Sequence, residues 1–214
     1  MTEAEIRKAI VETARAMNAT GLNQGMSGNI SVRHGETMLI TPTATPYDRM
    51  TAGDIAAMPI VGDAGDAVGP LRPSSEWRFH RDLLRARPDI GATVHAHASY
   101  CTALSIARRG IPSCHYMVAT FGGDDVRCAP YAAFGTASLS EAVLEAMQGR
   151  DACLMANHGM LACGRDLAQA MWRAVELEAV ARQYHLALAA GGAVLLSRAE
   201  MDAARAMFAD YRPA

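Results

Sequence analysis

Helix-like and strand-like runs alternate along this chain from one end to the other, with no internal repeat and no low-complexity linker between them. That alternation is what most restricts the fold. Thr2 and Glu5 form a capping box ahead of Ile6, Ile10 and Met17, which recur at roughly helical spacing, and Gly21 suits the helix stop. A glycine-rich turn then leads into a hairpin over 29–41, turning at His34-Gly35. After a polar loop at 62–70, Pro73, Ser74 and Ser75 precede a helix start at "EWRFHRDLLRAR". Further on come a strand at 91–98, a helix in "YCTALSIARR", a strand at 126–129 and a helix at 138–148. A strand at 151–156, a long alanine-rich helix at 166–190 and a last helix capped by Ser197 and Glu200 complete the pattern. The expectation is one α/β domain over residues 1–214. Half of the residues are apolar, enough for a substantial core.

Charge and composition narrow the function. Twenty basic and 22 acidic residues nearly balance, and no basic stripe with interleaved aromatics is present, which argues against nucleic acid as a partner. No apolar run approaches the ~20 residues that span a bilayer. The opening "MTEAEIRKAI" is acidic and polar, unlike a signal peptide. The five cysteines include no Cys-x-x-Cys pair, and reduced thiols in a cytoplasmic protein are expected.

The stretch "GATVHAHAS" at 91–99 carries two of the seven histidines, His95 and His97. On a strand, residues i and i+2 face the same side, ~6.5–7 Å apart at Cα. Both imidazoles would then point at one place, with Ala96 packed inward. A metal suits such a pair, since it binds the neutral ring nitrogen; a polar face on a half-buried strand suits it equally. "ACLMANHGM" ends a second apolar run in Asn157, His158 and Gly159, a candidate third ligand or an ordinary loop histidine. Glu76, in the first turn of its helix, is a candidate fourth group, in a position where the helix dipole alone favours a carboxylate. His34, His80, His115 and His185 are read as surface or core residues. A second constellation is "GMSGN" at 25–29 together with Ser74 and Ser75 at a helix N-terminus. It reads either as an anion cradle or as a turn and an N-cap. If an anion binds there, it lies beside Glu76.

Taken together, "GLNQGMSGNISVR", "LITPT", "PSSEWRFH", "VHAHASYCTALS", "IPSCHYMVATFGG", "CAPYAAFGT" and "NHG" resemble the class II aldolases of the L-fuculose-1-phosphate aldolase type. The resemblance is strongest from residue 21 to 159. It implies a single α/β domain with a central, mainly antiparallel sheet flanked by helices. It also implies a cyclic homotetramer with active sites between subunits and a sugar phosphate as substrate. It implies Zn²⁺, with Co²⁺ or Mn²⁺ as alternatives, held by His95, His97 and His158. Glu76 would be a fourth ligand and the catalytic acid/base. Gly28, Asn29, Thr43, Ala44, Ser74 and Ser75 would bind the phosphate. Tyr116 would reach a neighbouring subunit's site, Phe134 would meet the aldehyde, and Tyr211 would be a second, mobile tyrosine.

The expected reaction is cleavage of a ketose 1-phosphate to dihydroxyacetone phosphate and a short aldehyde such as lactaldehyde. The chain departs from the family in "TPTA", where Ala44 replaces a glycine and is strained if φ is positive. A Schiff-base mechanism does not fit, because Lys8 is the only lysine. The competing readings are an aldolase of 5-deoxyribulose or 5-methylthioribulose 1-phosphate, a methylthioribulose-1-phosphate dehydratase, a sugar-phosphate epimerase, and a non-enzymatic adducin-like module. The retained histidines and Glu76 argue against the last.

Overall fold

The computed structural model of the protein describes residues 1–62 and 67–208. Tyr211 and part of the 62–70 loop therefore lie outside the described residues. Seven strands form one sheet: β1 (Asn29–His34), β2 (Thr37–Ile40), β3 (Ala56–Pro59), β4 (Ala92–Ala96), β5 (Arg127–Ala129), β6 (Ala152–Met155) and β7 (Gly159–Gly164). Their spatial order is β3-β2-β1-β4-β7-β6-β5, and every neighbouring pair is antiparallel except β5/β6. The expected mixed, mainly antiparallel α/β fold is what forms. Among the described residues no helix is long and apolar enough to cross a membrane.

Strand alternation divides the core into two layers. On one face, Ile30, Val32, Val94, Ala96, Leu154 and Met160 pack against α1 (Glu3–Ala19), α3 (Ser99–Ile106), α5 (Leu167–Ala189) and α6 (Arg198–Phe208). On the other, Met38, Ile40, Cys153, Met155, Leu161 and Cys163 pack against α2 (Trp77–Ala86) and α4 (Ala137–Ala146). The capping boxes expected at Thr2/Glu5 and Ser197/Glu200 both form. Five free thiols are present, three of them buried.

The sequence reading needs correction at several elements. β3 and β7 were not expected, and β7 is the strand that pairs with β4 throughout its length. Gly159 opens β7 rather than ending in a loop. The strand expected over 91–98 stops at Ala96, so His97 lies just past it. Glu76 is the N-cap residue of α2 rather than part of its first turn, and its side chain does not cap.

The strand-to-helix junction after His97 is held from outside. Ala98, at the N-cap of α3, offers no side-chain bond, and the Glu178 carboxylate on α5 accepts from the Tyr100 and Cys101 backbone N–H groups at 2.9 Å each. Those are two of the donors that a helix N-terminus leaves unpaired.

Among the described residues three non-glycines have positive φ: Ala44 (50°), Arg108 (50°) and Asn157 (55°). Asparagine tolerates this region, but alanine places its Cβ against the following carbonyl at about 1–2 kcal/mol. The strain foreseen at Ala44 is therefore real. Ala44→Gly should raise unfolding free energy by about 0.5–1 kcal/mol, because the relieved strain exceeds the extra unfolded-chain entropy of glycine. Urea denaturation measures this; destabilisation instead would mean that the alanine is not strained.

Candidate metal centre and ligand cleft

His95 leaves β4 on the α2 side and is fully buried. Its Nδ1–H donates to the Met160 carbonyl of β7 at 2.8 Å, which fixes the ring and turns Nε2 toward the cleft. The backbone N–H of His97 donates to Asn23 Oδ1 at 3.2 Å. His158 sits in the tight turn joining β6 to β7, with the Asn157 and His158 N–H groups bonded to Ser105 of α3 and to the Met155 carbonyl. Two glycines permit this closeness. A Cβ on Gly28 would lie 2.7 Å from the His95 carbonyl oxygen, and one on Gly159 would lie 2.6 Å from that of Ala96.

The three rings form a nearly equilateral triangle, with centroids 4.9–5.1 Å apart. One nitrogen from each lies within 4.8 Å of the others. Glu76 joins them, its two oxygens 3.2 Å from His95 Nε2 and 3.1 Å from His158 Nε2. His95 Nε2, His97 Nε2 and Glu76 Oε1 are buried yet lack hydrogen-bond partners. Burial raises the pKa of the Glu76 carboxyl, but the adjacent charge of His95 and contact with His158 outweigh it and hold the group well below the usual carboxylate range. Burial and then the neighbouring His95 and His158 lower His97 to about 4, a neutral ring near pH 7. Three imidazoles cannot all be charged together, whereas one bound cation satisfies the orphaned nitrogens and the carboxylate at once. The donor set of three histidines and a carboxylate fits a divalent metal.

Above this floor opens a cleft of about 680 Å³, within the range of small-molecule sites. Gly28, Asn29, Thr43, Ala44, Ser74 and Ser75 all line it, as does Phe134 on the rim. Ser74 Oγ accepts from the Glu76 N–H at 3.3 Å, so its own hydrogen is available to an anion. Asn29 is more committed than the sequence suggested. Its Oδ1 meets His80 Nε2, and its Nδ2 donates to Glu76 Oε2 at 2.9 Å, leaving one amide hydrogen for a ligand. Tyr116 does not line the cleft of its own chain; it is exposed, stacked on Phe208 in a 3-10 turn over Tyr116–Phe121. Met26, within the expected anion cradle, lines the cleft; Tyr131 and Asn157 line it without being expected as ligand contacts, and His80, read as a surface or core residue, lies behind Asn29. All four fall inside stretches that carry the resemblance, yet only the folding of distant segments shows that they meet at the cleft or just behind it.

The family model for the Class II Aldolase and Adducin N-terminal domain matches residues 8–185. A 5-methylthioribulose-1-phosphate/5-deoxyribulose-1-phosphate aldolase of Rhodospirillum rubrum is 45% identical over 206 residues, 96% of this chain and 92% of that protein. An L-fuculose phosphate aldolase of Escherichia coli is 47% identical over 189 residues, 88% of this chain and 86% of that one. Among solved structures, an L-fuculose 1-phosphate aldolase superposes with a TM-score of 0.92 at 36% identity, covering 97% of this chain and 98% of that chain. Likeness on this scale, over a cleft floored by histidines able to hold a metal, identifies the chain as a member of the class II aldolase family, a metal-dependent family of enzymes acting on sugar phosphates.

Proposed function

We propose that the protein cleaves a ketose 1-phosphate between C3 and C4 to dihydroxyacetone phosphate and a short aldehyde. The observation that carries this reading is a buried carboxylate set against the imidazoles of His95 and His158 on the floor of a cleft that Thr43, Ser74 and Ser75 also line. His95, His97 and His158 would hold the metal, zinc in the first instance, with Glu76 as a further ligand. Bound there, the cation would supply Lewis-acid stabilisation of the negative charge that develops on the substrate.

The chain's own residues account for the remaining work. Ser74, Ser75, Thr43 and the Gly28–Asn29 turn would grip the phosphate, remote from the broken bond, and so orient the reacting carbons. Glu76, adjacent to the phosphate serines, would return a proton to C3 once substrate releases it from the metal site, where burial without its charged neighbours favours the protonated carboxyl that this step needs. Tyr116 would accept the O4 proton. Because it lies outside its own chain's cleft, this role requires sites shared between subunits, as in the homotetramer that the resemblance implies. Phe134 on the rim would meet the aldehyde. Lys8, three-quarters exposed on α1 and absent from the cleft, leaves no lysine for a Schiff base.

Two relatives of similar identity carry different substrate names, and the exposed Met26, Tyr131 and Phe134 at the cleft favour tolerance at the aldehyde end. An apolar pocket discriminates by only about 1–3 kcal/mol per methylene. Both L-fuculose 1-phosphate and 5-deoxyribulose 1-phosphate should therefore be cleaved, as read by a reductase-coupled assay for dihydroxyacetone phosphate. Mass spectrometry showing water loss from 5-methylthioribulose 1-phosphate, with no triose phosphate, would replace the aldolase by a dehydratase.

Two substitutions test the roles. His95→Ala should remain folded but retain no stoichiometric metal by elemental analysis; full occupancy would sink the ligand assignment. Glu76→Gln should keep the metal and lose about 10²–10⁴-fold in deuterium exchange at C3 of dihydroxyacetone phosphate. Undiminished exchange would remove Glu76 from the proton transfer.

A further inference from the structure

The pairing of β1 with β4 sets Asn29 opposite His95 and Ser31 opposite Thr93. The intervening Ile30, Val32, Val94 and Ala96 face the larger core, so these four polar side chains share the opposite face. That face is sealed rather than solvated: Ser31, Thr93 and His95 are fully buried and Asn29 nearly so. Burying unpaired polar groups is unfavourable. The pairing comes from His80 of α2, itself fully buried. Its Nδ1 meets the Ser31 hydroxyl at 3.0 Å and the Thr93 hydroxyl, which lie 2.8 Å from each other. Its Nε2 meets Asn29 Oδ1, and Asn29 Nδ2 donates to Glu76 Oε2.

The hydrogens in this chain can run only one way. An ionised carboxylate accepts and cannot donate, so Asn29 presents its NH₂ to Glu76 and its carbonyl to His80. His80 Nε2 must then carry the proton. Burial, and next the charge of His95, lower the His80 pKa to about 3, so the ring is neutral and has a single N–H to place. Its Nδ1 is left as an acceptor for the paired hydroxyls. The chain thus runs from the Ser31/Thr93 hydroxyls through His80 and Asn29 to Glu76.

We propose that His80 is a positioning residue: through Asn29 it clamps Glu76 Oε2 and so fixes the carboxylate rotamer in which Oε1 faces His158 Nε2 at 3.1 Å. The functional consequence rests on the reading of Glu76 as metal ligand and acid/base. The clamp itself rests only on the observed contacts. His80 lies in the first turn of α2, four residues beyond the N-cap residue Glu76, so one helix start sets both the carboxylate and the group that aims it.

Three measurements test this. First, a two-bond ¹⁵N–¹H spectrum of the wild-type protein, with His80 assigned by difference from His80→Gln, should show a neutral ring protonated at Nε2. Protonation at Nδ1 would overturn the proposal, and this measurement needs neither a substrate nor a stable loss-of-function variant. Second, chelator competition should show Zn²⁺ affinity about 10–100-fold weaker in His80→Asn, whose shorter amide cannot reach Asn29. His80→Gln, which keeps an N–H near the Nε2 position, should remain close to wild type. Third, kcat for C3–C4 cleavage should fall about 10–100-fold in His80→Asn with KM nearly unchanged, and His80→Gln should rescue it. A folded His80→Asn with wild-type affinity and kcat would overturn the proposal. If the wild type cleaves no ketose 1-phosphate, the aldolase reading fails on its own, and the tautomer and the metal affinities still decide the clamp.

Discussion

A carboxylate nearly closed off from water is the constraint around which the rest of the molecule is arranged. Glu76 is 5% exposed, and an ion so placed must be paired and hydrogen-bonded to remain ionised. Its partners come from four separate segments: His95 from β4, His158 from the β6–β7 turn, Asn29 from the start of β1 and, behind Asn29, His80 from α2. Asn29 and His95 are delivered opposite each other by sheet register. A one-residue slip of β4 would send His95 into the apolar layer under α5 and bring Val94 or Ala96 to the carboxylate. The β4–β7 ladder resists such a slip, because His95 faces Leu161 across it while its ring is bonded to the preceding residue's carbonyl, that of Met160.

The same arrangement explains what could be read in the chain beforehand. His95 and His97 stood out because period-two spacing puts both on one side, and His158 stood out beside a glycine. The helix starts at Thr2 and Ser197 carry their signals in four residues. β7 was hidden for a physical reason: "GMLACG" has glycine at both ends and no β-branched residue, so locally it resembles a turn. It forms a strand because β4 and β6 both pair with it. His80 was hidden for the opposite reason. Asn29, Ser31, Thr93 and His95 alternate with apolar residues, a pattern that reads as a sheet face toward water. Only packing shows that α2 covers that face and that a histidine answers its polar groups.

Glycine shows how far local reading reaches. Gly28 looked like part of an anion cradle, yet its backbone also presses on the His95 carbonyl, where no side chain fits. Ala44 shows the reverse: its backbone adopts the geometry that a glycine would take more easily. Both residues line the cleft, so steric demands of the strand and of the ligand are met within one short stretch of chain.

The junction of β4 with β7 has a further consequence, for the order of events as the chain folds. His95 and the Met160 carbonyl that orients it are 65 residues apart in sequence, and Asn29 and Glu76 are 47 apart. Contacts of such separation close against the loop entropy between them, which slows their formation relative to the helices. A collapsed intermediate with helices formed but the central strands unpaired would have histidines and no converging site. A metal held by these histidines would thus find its site only in the completed sheet and, by favouring only that state, would draw the last steps of folding toward it.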